Sequence, residues 1–182
     1  MTMGQKTAKA DEMFFVVDED DRPLESLPRK LVHGHGVWHR VSHIWLRNDQ
    51  GQLLCQQRSL AKELIPGFWE PFFGGHLSPG ESYSDGAVRE LREELGIKFS
   101  TDEIKLWKVY KMYDPTEYNN EFQGIFVARW NGKAADVTFN DGEVEQVAWK
   151  DVEEIERSIK EMGGKSWVNC GYELDLLKEL II

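Results

Sequence analysis

The sequence predicts an α+β protein, an α/β/α sandwich in which strands are interleaved with a few helices. Three observations carry that expectation. Short runs with β-type alternation or strong β preference recur along the chain, and longer stretches repeat apolar residues at helical spacing. The 182 residues are also enough for one domain with its own core. No internal repeat, low-complexity tract or Pro/Gly linker divides the chain. A single domain is expected over 13–182. The stretch 1–12, MTMGQKTAKADE, has no apolar run and reads as a disordered lead-in.

MFFVVDEDD (13–21) reads as a strand running into an acidic turn. VSHIWLRNDQGQLLCQQRS (41–59) reads as a hairpin, with two β-rich runs around Asn48-Asp49-Gln50-Gly51. Pro66-Gly67 is a turn. FWEPFFGG (68–75) is aromatic and strand-like, with Pro71 placing it at an edge or a bulge. Strands are expected at 103–113, 122–130 and 144–150. An amphipathic helix follows at 151–162, with Val152, Ile155 and Ile159 on one face, and a terminal helix at 172–181.

Composition narrows the functional classes. The formal net charge is -10, which opposes a non-specific grip on nucleic acid or anionic lipid. An acidic protein that handles phosphates needs a metal to mediate. No stretch is long and apolar enough to span a membrane, and the N-terminus has no secretory apolar segment. The two cysteines, Cys55 and Cys170, are far apart and read as reduced thiols, so a cytoplasmic protein is expected.

The most informative stretch is GHLSPGESYSDGAVRELREELGI, residues 75–97. Ser82 with Asp85 three residues later is a variant of the capping box and starts a helix. Gly96 is a natural left-handed stop. Ala87, Val88, Leu91 and Leu95 form one stripe, which faces the sheet. Glu90, Glu93 and Glu94 form another, and Glu81 can fold back towards them. Clustered carboxylates repel one another. Arg89 offsets part of that, and a hard divalent cation such as Mg²⁺ would offset far more. The Gly74-Gly75 backbone can lend a carbonyl. The plain alternative is a solvated acidic face, and the full spacing decides against it. Gly75 is followed after five residues by Glu81, then after seven by Arg89-Glu90-Leu91, then Glu93-Glu94 and Gly96-Ile97. That spacing resembles the Nudix box at every position, a coincidence on the order of 10⁻⁸ per window by composition alone.

The resemblance implies a Nudix-type α/β/α sandwich with a mixed sheet, the box forming loop–helix–loop. It also implies hydrolysis of a diphosphate linked to another group, using Mg²⁺ or Mn²⁺. Carried onto this chain, Glu93 and Glu94 are similar to metal ligands. Glu90 resembles a further ligand or the group that orients the attacking water. The Gly74 carbonyl resembles the usual backbone ligand, Arg89 the arginine that holds a box glutamate, and Glu81 a supporting carboxylate. The implied partner is a small-molecule diphosphate, with no membrane or nucleic acid. Homodimers are common among such proteins, and the oligomeric state stays open.

Residues 14–150 further resemble the Nudix branch that includes isopentenyl diphosphate isomerase, through VDEDDRPLESLPRKLVHGHGVWHRVSHIWLRNDQGQLLCQQRS and PGFWEPFFGGH. Isomerases of that branch carry a cysteine just before the histidine of the GGH segment, where this chain has Phe73, Gly74 and Gly75. Cys55 lies on the hairpin instead. The isomerase metal set implies His39, His76 and one of His33 or His35. Glu121 falls at an acidic position of that set, and Asn119 stands where a second acid is expected. Diphosphate hydrolysis is the leading expectation, with an isomerase-like enzyme or a non-catalytic binding module as alternatives.

HGHGVWH (33–39) can bind a transition metal through alternate histidines or line a cleft. Glu121, Asp141, Glu143 and Glu145 are candidates for an acid supplied from outside the box, Glu121 first among them. Arg58 and Lys62, with Lys108 and Lys111, can meet phosphates. Trp69, Tyr110, Tyr113, Tyr118 and Phe122 can stack a base or pack an apolar tail. Arg58, Lys62, Trp69 and His76 form the expected substrate-binding set.

Overall fold

The computed structural model describes residues 12–62, 65–114, 118–139, 142–162, 166–168 and 175. The expected disordered lead-in and terminal helix therefore fall almost wholly outside the described residues, as do Cys170 and Asp141.

The elements in order are β1 (Met13–Phe14), β2 (Leu27–Pro28), α1 (Arg29–His35), β3 (His39–Arg47), β4 (Leu53–Arg58), β5 (Trp69–Glu70), β6 (Phe73–His76), α2 (Tyr83–Leu95), β7 (Ile104–Asp114), β8 (Asn119–Arg129), β9 (Val144–Lys150) and α3 (Val152–Met162). A seven-stranded sheet follows the path β5-β4-β3-β8-β7, with β6 joined to β3 and β9 to β4, and β1 and β2 form a separate pair. Contacts divide the chain into two compact units. The first comprises Met1–His43, Gly74–Ala87 and Leu106–Phe126, and the second Ile44–Phe73, Val88–Lys105 and Val127–Ile182.

In the first unit, Phe14, Val16 and Val32 form a buried cluster with Leu27 and Val37 against it. The strand predicted ahead of the acidic turn in 13–21 is cut short. Only Met13–Phe14 pair as a strand, and Val16 and Val17 make isolated bridges to His39 and Pro23. Helix α1 was not expected from the sequence. Pro28 sits at its N-cap with φ -60°, and Gly36 closes it in the left-handed region at φ 61°. Seven residues interrupted by Gly34 carry too little periodicity to be read as a helix. On α2, Tyr83 packs so closely that a Cβ at Gly124 would lie 2.4 Å from its ring. The Tyr83 hydroxyl is 3.3 Å from the Asp21 carboxylate, which also accepts from Arg40 Nε at 2.6 Å.

In the second unit, β4 and β9 pair antiparallel from Leu53↔Lys150 to Arg58↔Val144, with a bulge at Gln57/Arg58. Ile44, Trp45, Leu46, Leu53, Leu54, Cys55, Leu91, Leu95 and Ile155 are buried there. The 68–75 stretch splits at Pro71 into β5 and β6, because proline has no N–H to continue a ladder. Gly96 ends α2 at φ 67°, as its spacing predicts. The apolar stripe holds with one correction. Ala87, Leu91 and Leu95 are fully buried, whereas Val88 is half-exposed.

Candidate active site

The C-terminal half of α2 carries the acids. Arg89 Nη1 donates to Glu90 Oε1 at 2.8 Å and to Glu93 Oε2 at 3.1 Å, so one guanidinium bridges two carboxylates. The three glutamates, expected on one stripe of the helix, differ in depth. Glu93 is exposed, Glu90 is half-buried, and Glu94 is buried at 5% exposure. Burial pushes the Glu90 carboxyl up to about 7 against the pull of Arg89, and the charges of Glu93 and Glu143 add to that push. Glu143 stands just before β9 and pairs with Lys62. Among the candidate outside acids, it is therefore the one whose charge reaches Glu90 within this unit, whereas Glu145 is exposed. Glu90, Glu93 and Glu143 bring carboxylate oxygens, the donor type a hard divalent ion takes, whereas the close group of possible ligand atoms among the described residues is formed by histidines.

The remaining second-unit candidates have defined partners. Arg58 Nη1 donates to Glu70 Oε1 at 2.7 Å, and the same buried carboxylate accepts from Gln56 Nε2 at 3.2 Å. Trp69 stacks on Trp167 at 6.0 Å, with the Lys150 ammonium 4.9 Å above its ring. Cys55 is buried on β4, and burial pushes its thiol far above the ordinary range.

A second cluster lies wholly in the first unit. One ring nitrogen from each of His33, His39 and His76 falls within a group spanning no more than 4.8 Å. His33 belongs to the cluster, and His35 at the end of α1 is exposed. The cluster draws His33 and His39 from the 33–39 stretch and its third member from β6. His39 Nδ1 donates to the Val37 carbonyl at 2.9 Å, leaving the Nε2 lone pair free of a proton. That Nε2 is 3.7 Å from Glu121 Oε1. Burial lowers the pKa of all three rings, that of His33 to about 4, which keeps them neutral, the form that ligates metal. His33 Nε2 and His39 Nε2 are buried and make no hydrogen bond among the described residues. Orphaned buried nitrogens on neutral imidazoles fit a metal.

Several contacts around this cluster go beyond the sequence reading. Phe14 stacks on His76 with centroids 3.8 Å apart and planes 11° from parallel. Arg29 Nη1 reaches His76 Nδ1 at 3.4 Å and lies over Phe14. Asn119 Nδ2 and Gln123 Nε2 donate to the two oxygens of Glu121, at 2.9 and 2.8 Å. Strand alternation could have found this last trio, since 119, 121 and 123 share one face of β8. Glu81, expected to fold back towards the helix acids, accepts the Ser78 N–H at 2.9 Å.

With this geometry described, comparison with known proteins assigns the chain. The NUDIX domain profile matches residues 37–168. The chain belongs to the Nudix hydrolase family. It is thus an enzyme of a family whose general chemistry is metal-dependent hydrolysis of diphosphates. An uncharacterized Nudix hydrolase of Pseudomonas aeruginosa is 45% identical over 96 residues, 53% of this chain and 57% of that protein, so the match spans little more than half of the relative's length. An isopentenyl-diphosphate Delta-isomerase of Serratia proteamaculans is 30% identical over 145 residues, covering 80% of this Nudix chain and 79% of that one. A crystal structure from Deinococcus radiodurans superposes with a TM-score of 0.71 at 25% identity, covering 90% and 96% of the two chains. The Nudix fold expected from the box is thereby established. Among the described residues, no helix is long and apolar enough to cross a membrane.

Proposed function

We propose that this protein hydrolyses the diphosphate bond of a nucleoside diphosphate-linked or related organic diphosphate, with Mg²⁺ or Mn²⁺ on the acids of α2. The observation that carries the reading is the single guanidinium of Arg89 holding both Glu90 and Glu93. Glu93 and Glu94 are the ligands, with Glu90 beside them, and the resemblance adds the Gly74 carbonyl. A bound divalent ion supplies charge neutralisation on the transferring phosphoryl group and a more acidic water. The protein's own part is positional. Arg89 fixes the directions of Glu90 and Glu93. A Glu90 carboxyl near neutrality suits proton acceptance from the nucleophile. Glu143 contributes negative charge from outside the box, replacing Glu121 as the favoured outside acid.

A second reading, isomerase-like chemistry on an isoprenoid diphosphate, is favoured by one observation: the cluster of His33, His39 and His76 beside Glu121. We read this cluster as a metal centre in its own right. Two features weigh against the isomerase reaction. The resemblance expects a catalytic thiol just before His76, and the residues there are Phe73, Gly74 and Gly75. The one described cysteine, Cys55, is buried and held protonated.

The deciding experiment incubates the protein and Mg²⁺ with a panel of organic diphosphates, isopentenyl diphosphate included. Products are read by mass spectrometry and phosphorus NMR. A cleaved P–O bond is expected. An intact diphosphate with a shifted double bond would replace this reading with the isomerase one.

A further inference from the structure

We propose that Asn119 determines which ion the histidine centre accepts. Its amide oxygen acts as a neutral ligand while its amide nitrogen holds Glu121, so that the centre takes a borderline transition ion in preference to Mg²⁺. This rests on reading the His33–His39–His76 cluster as a metal centre.

The orientation of the Asn119 amide follows from its partner. Nδ2 donates to Glu121 Oε1 at 2.9 Å, and the reversed amide would set oxygen against oxygen. The same Oε1 is the atom 3.7 Å from His39 Nε2, so Asn119 acts directly on the edge of the cluster. Gln123 Nε2 holds the other oxygen, Oε2, at 2.8 Å, and with both oxygens engaged the Glu121 side chain cannot swing. Asn119 Oδ1 is then left over. It is buried and accepts no hydrogen bond among the described residues, as is true of His33 Nε2 and His39 Nε2. Buried acceptors without partners are uncommon, and on His33, His39 and the asparagine that holds Glu121 they have a common explanation in a cation.

The charge of the set determines which cation. Three neutral imidazoles, one amide and one carboxyl group bring far less negative charge than an all-carboxylate site. Mg²⁺ requires charged, oxygen-rich surroundings and loses its waters reluctantly. Zn²⁺, Co²⁺ and Ni²⁺ accept imidazole readily. An aspartate at position 119 would bring a second carboxylate and move the centre towards hard ions. The chain therefore sorts two ions by donor type, with a hard ion on the acids of α2 and a borderline ion on the histidines.

The test titrates Co²⁺ into the metal-free full-length protein in excess Mg²⁺, which occupies the helix acids and is spectroscopically silent. Visible absorption of Co²⁺ and thermal unfolding are both followed. Wild type is expected to give an imidazole-type Co²⁺ band that excess Mg²⁺ does not displace, and H33Q is expected to lose it. N119L should weaken Co²⁺ binding by about tenfold or more and alter the band. N119D, nearly isosteric and the safer variant for folding, should let Mg²⁺ displace Co²⁺ where wild type does not. If N119L and N119D both bind like wild type while H33Q loses the band, the role of Asn119 is overturned and the centre stands. If wild type shows no band, the metal centre itself is refuted and the role of Asn119 with it. Neither result bears on diphosphate cleavage, which the turnover assay reads separately.

Discussion

Arg89 and Glu90 are sequence neighbours whose side chains meet at 2.8 Å, although adjacent residues on a helix normally point about 100° apart. They meet because the guanidinium leans across to serve Glu93, one turn on, and Glu90 at once. Replacing Arg89 with Gln should lower turnover by about 10- to 100-fold, the usual cost of losing a group that orients metal ligands. Midpoint Mg²⁺ concentration should rise. Steady-state kinetics across an Mg²⁺ series checks both effects.

Glu94 is buried, and a glutamine there keeps its shape but not its charge. Glu94→Gln is expected to lose most of the turnover with circular dichroism unchanged. Wild-type rates at saturating Mg²⁺ would remove Glu94 from the proposed ligand set.

The Arg58–Glu70 pair separates a structural role from a substrate-binding one. Glu70 is 7% exposed, and removing Arg58 takes away the cation paired with its carboxylate. Arg58→Ala should cost about 3 kcal/mol of stability, the typical penalty for breaking a buried pair. Chemical unfolding together with KM distinguishes the roles. A large KM rise on an unchanged stability would return Arg58 to the phosphate-binding set.

Gly124 faces Tyr83, and a methyl group there would sit 2.4 Å from the ring. The ring is tied through its hydroxyl to Asp21 and cannot simply move aside. Gly124→Ala should destabilise by about 1–3 kcal/mol through overpacking. A urea titration measures it, and an unchanged midpoint would show that the ring yields.

Cys55 offers a test of what the protein does not use. Its thiol is fully buried and held in the protonated form by that burial. In a Cys170→Ser background, a thiol reagent at mildly alkaline pH should not modify the native protein and should modify it fully once unfolded. Rapid native labelling would show that Cys55 is accessible.

The carboxylate helix was legible because its signals are local. Cap, apolar stripe, charged residues and terminal glycine all lie within one continuous stretch, and α2 forms at Tyr83–Leu95 as that stretch predicts. The hairpin and strands β7 to β9 were legible for the same reason, to within a few residues at their ends. The differing burial of Glu90, Glu93 and Glu94 was not, because helix periodicity gives an angle around the axis and not the height of the neighbouring surface.

The histidine cluster shows the boundary. From the sequence, and by resemblance alone, came His39, His76 and a choice between His33 and His35, with Glu121 beside them. Helix α1, closed by a left-handed Gly36, sends His33 inward and leaves His35 exposed. Strand β6 brings in His76 from more than 30 positions away along the chain, and Phe14 stacks against it. The sequence by itself determined the family, the class of chemistry and the residues able to bear it, since each rests on residue type and short spacing. Only the tertiary structure decided which of those residues meet, which are committed to internal ion pairs and which acceptors are left without a partner, because those outcomes depend on contacts between segments distant in the chain.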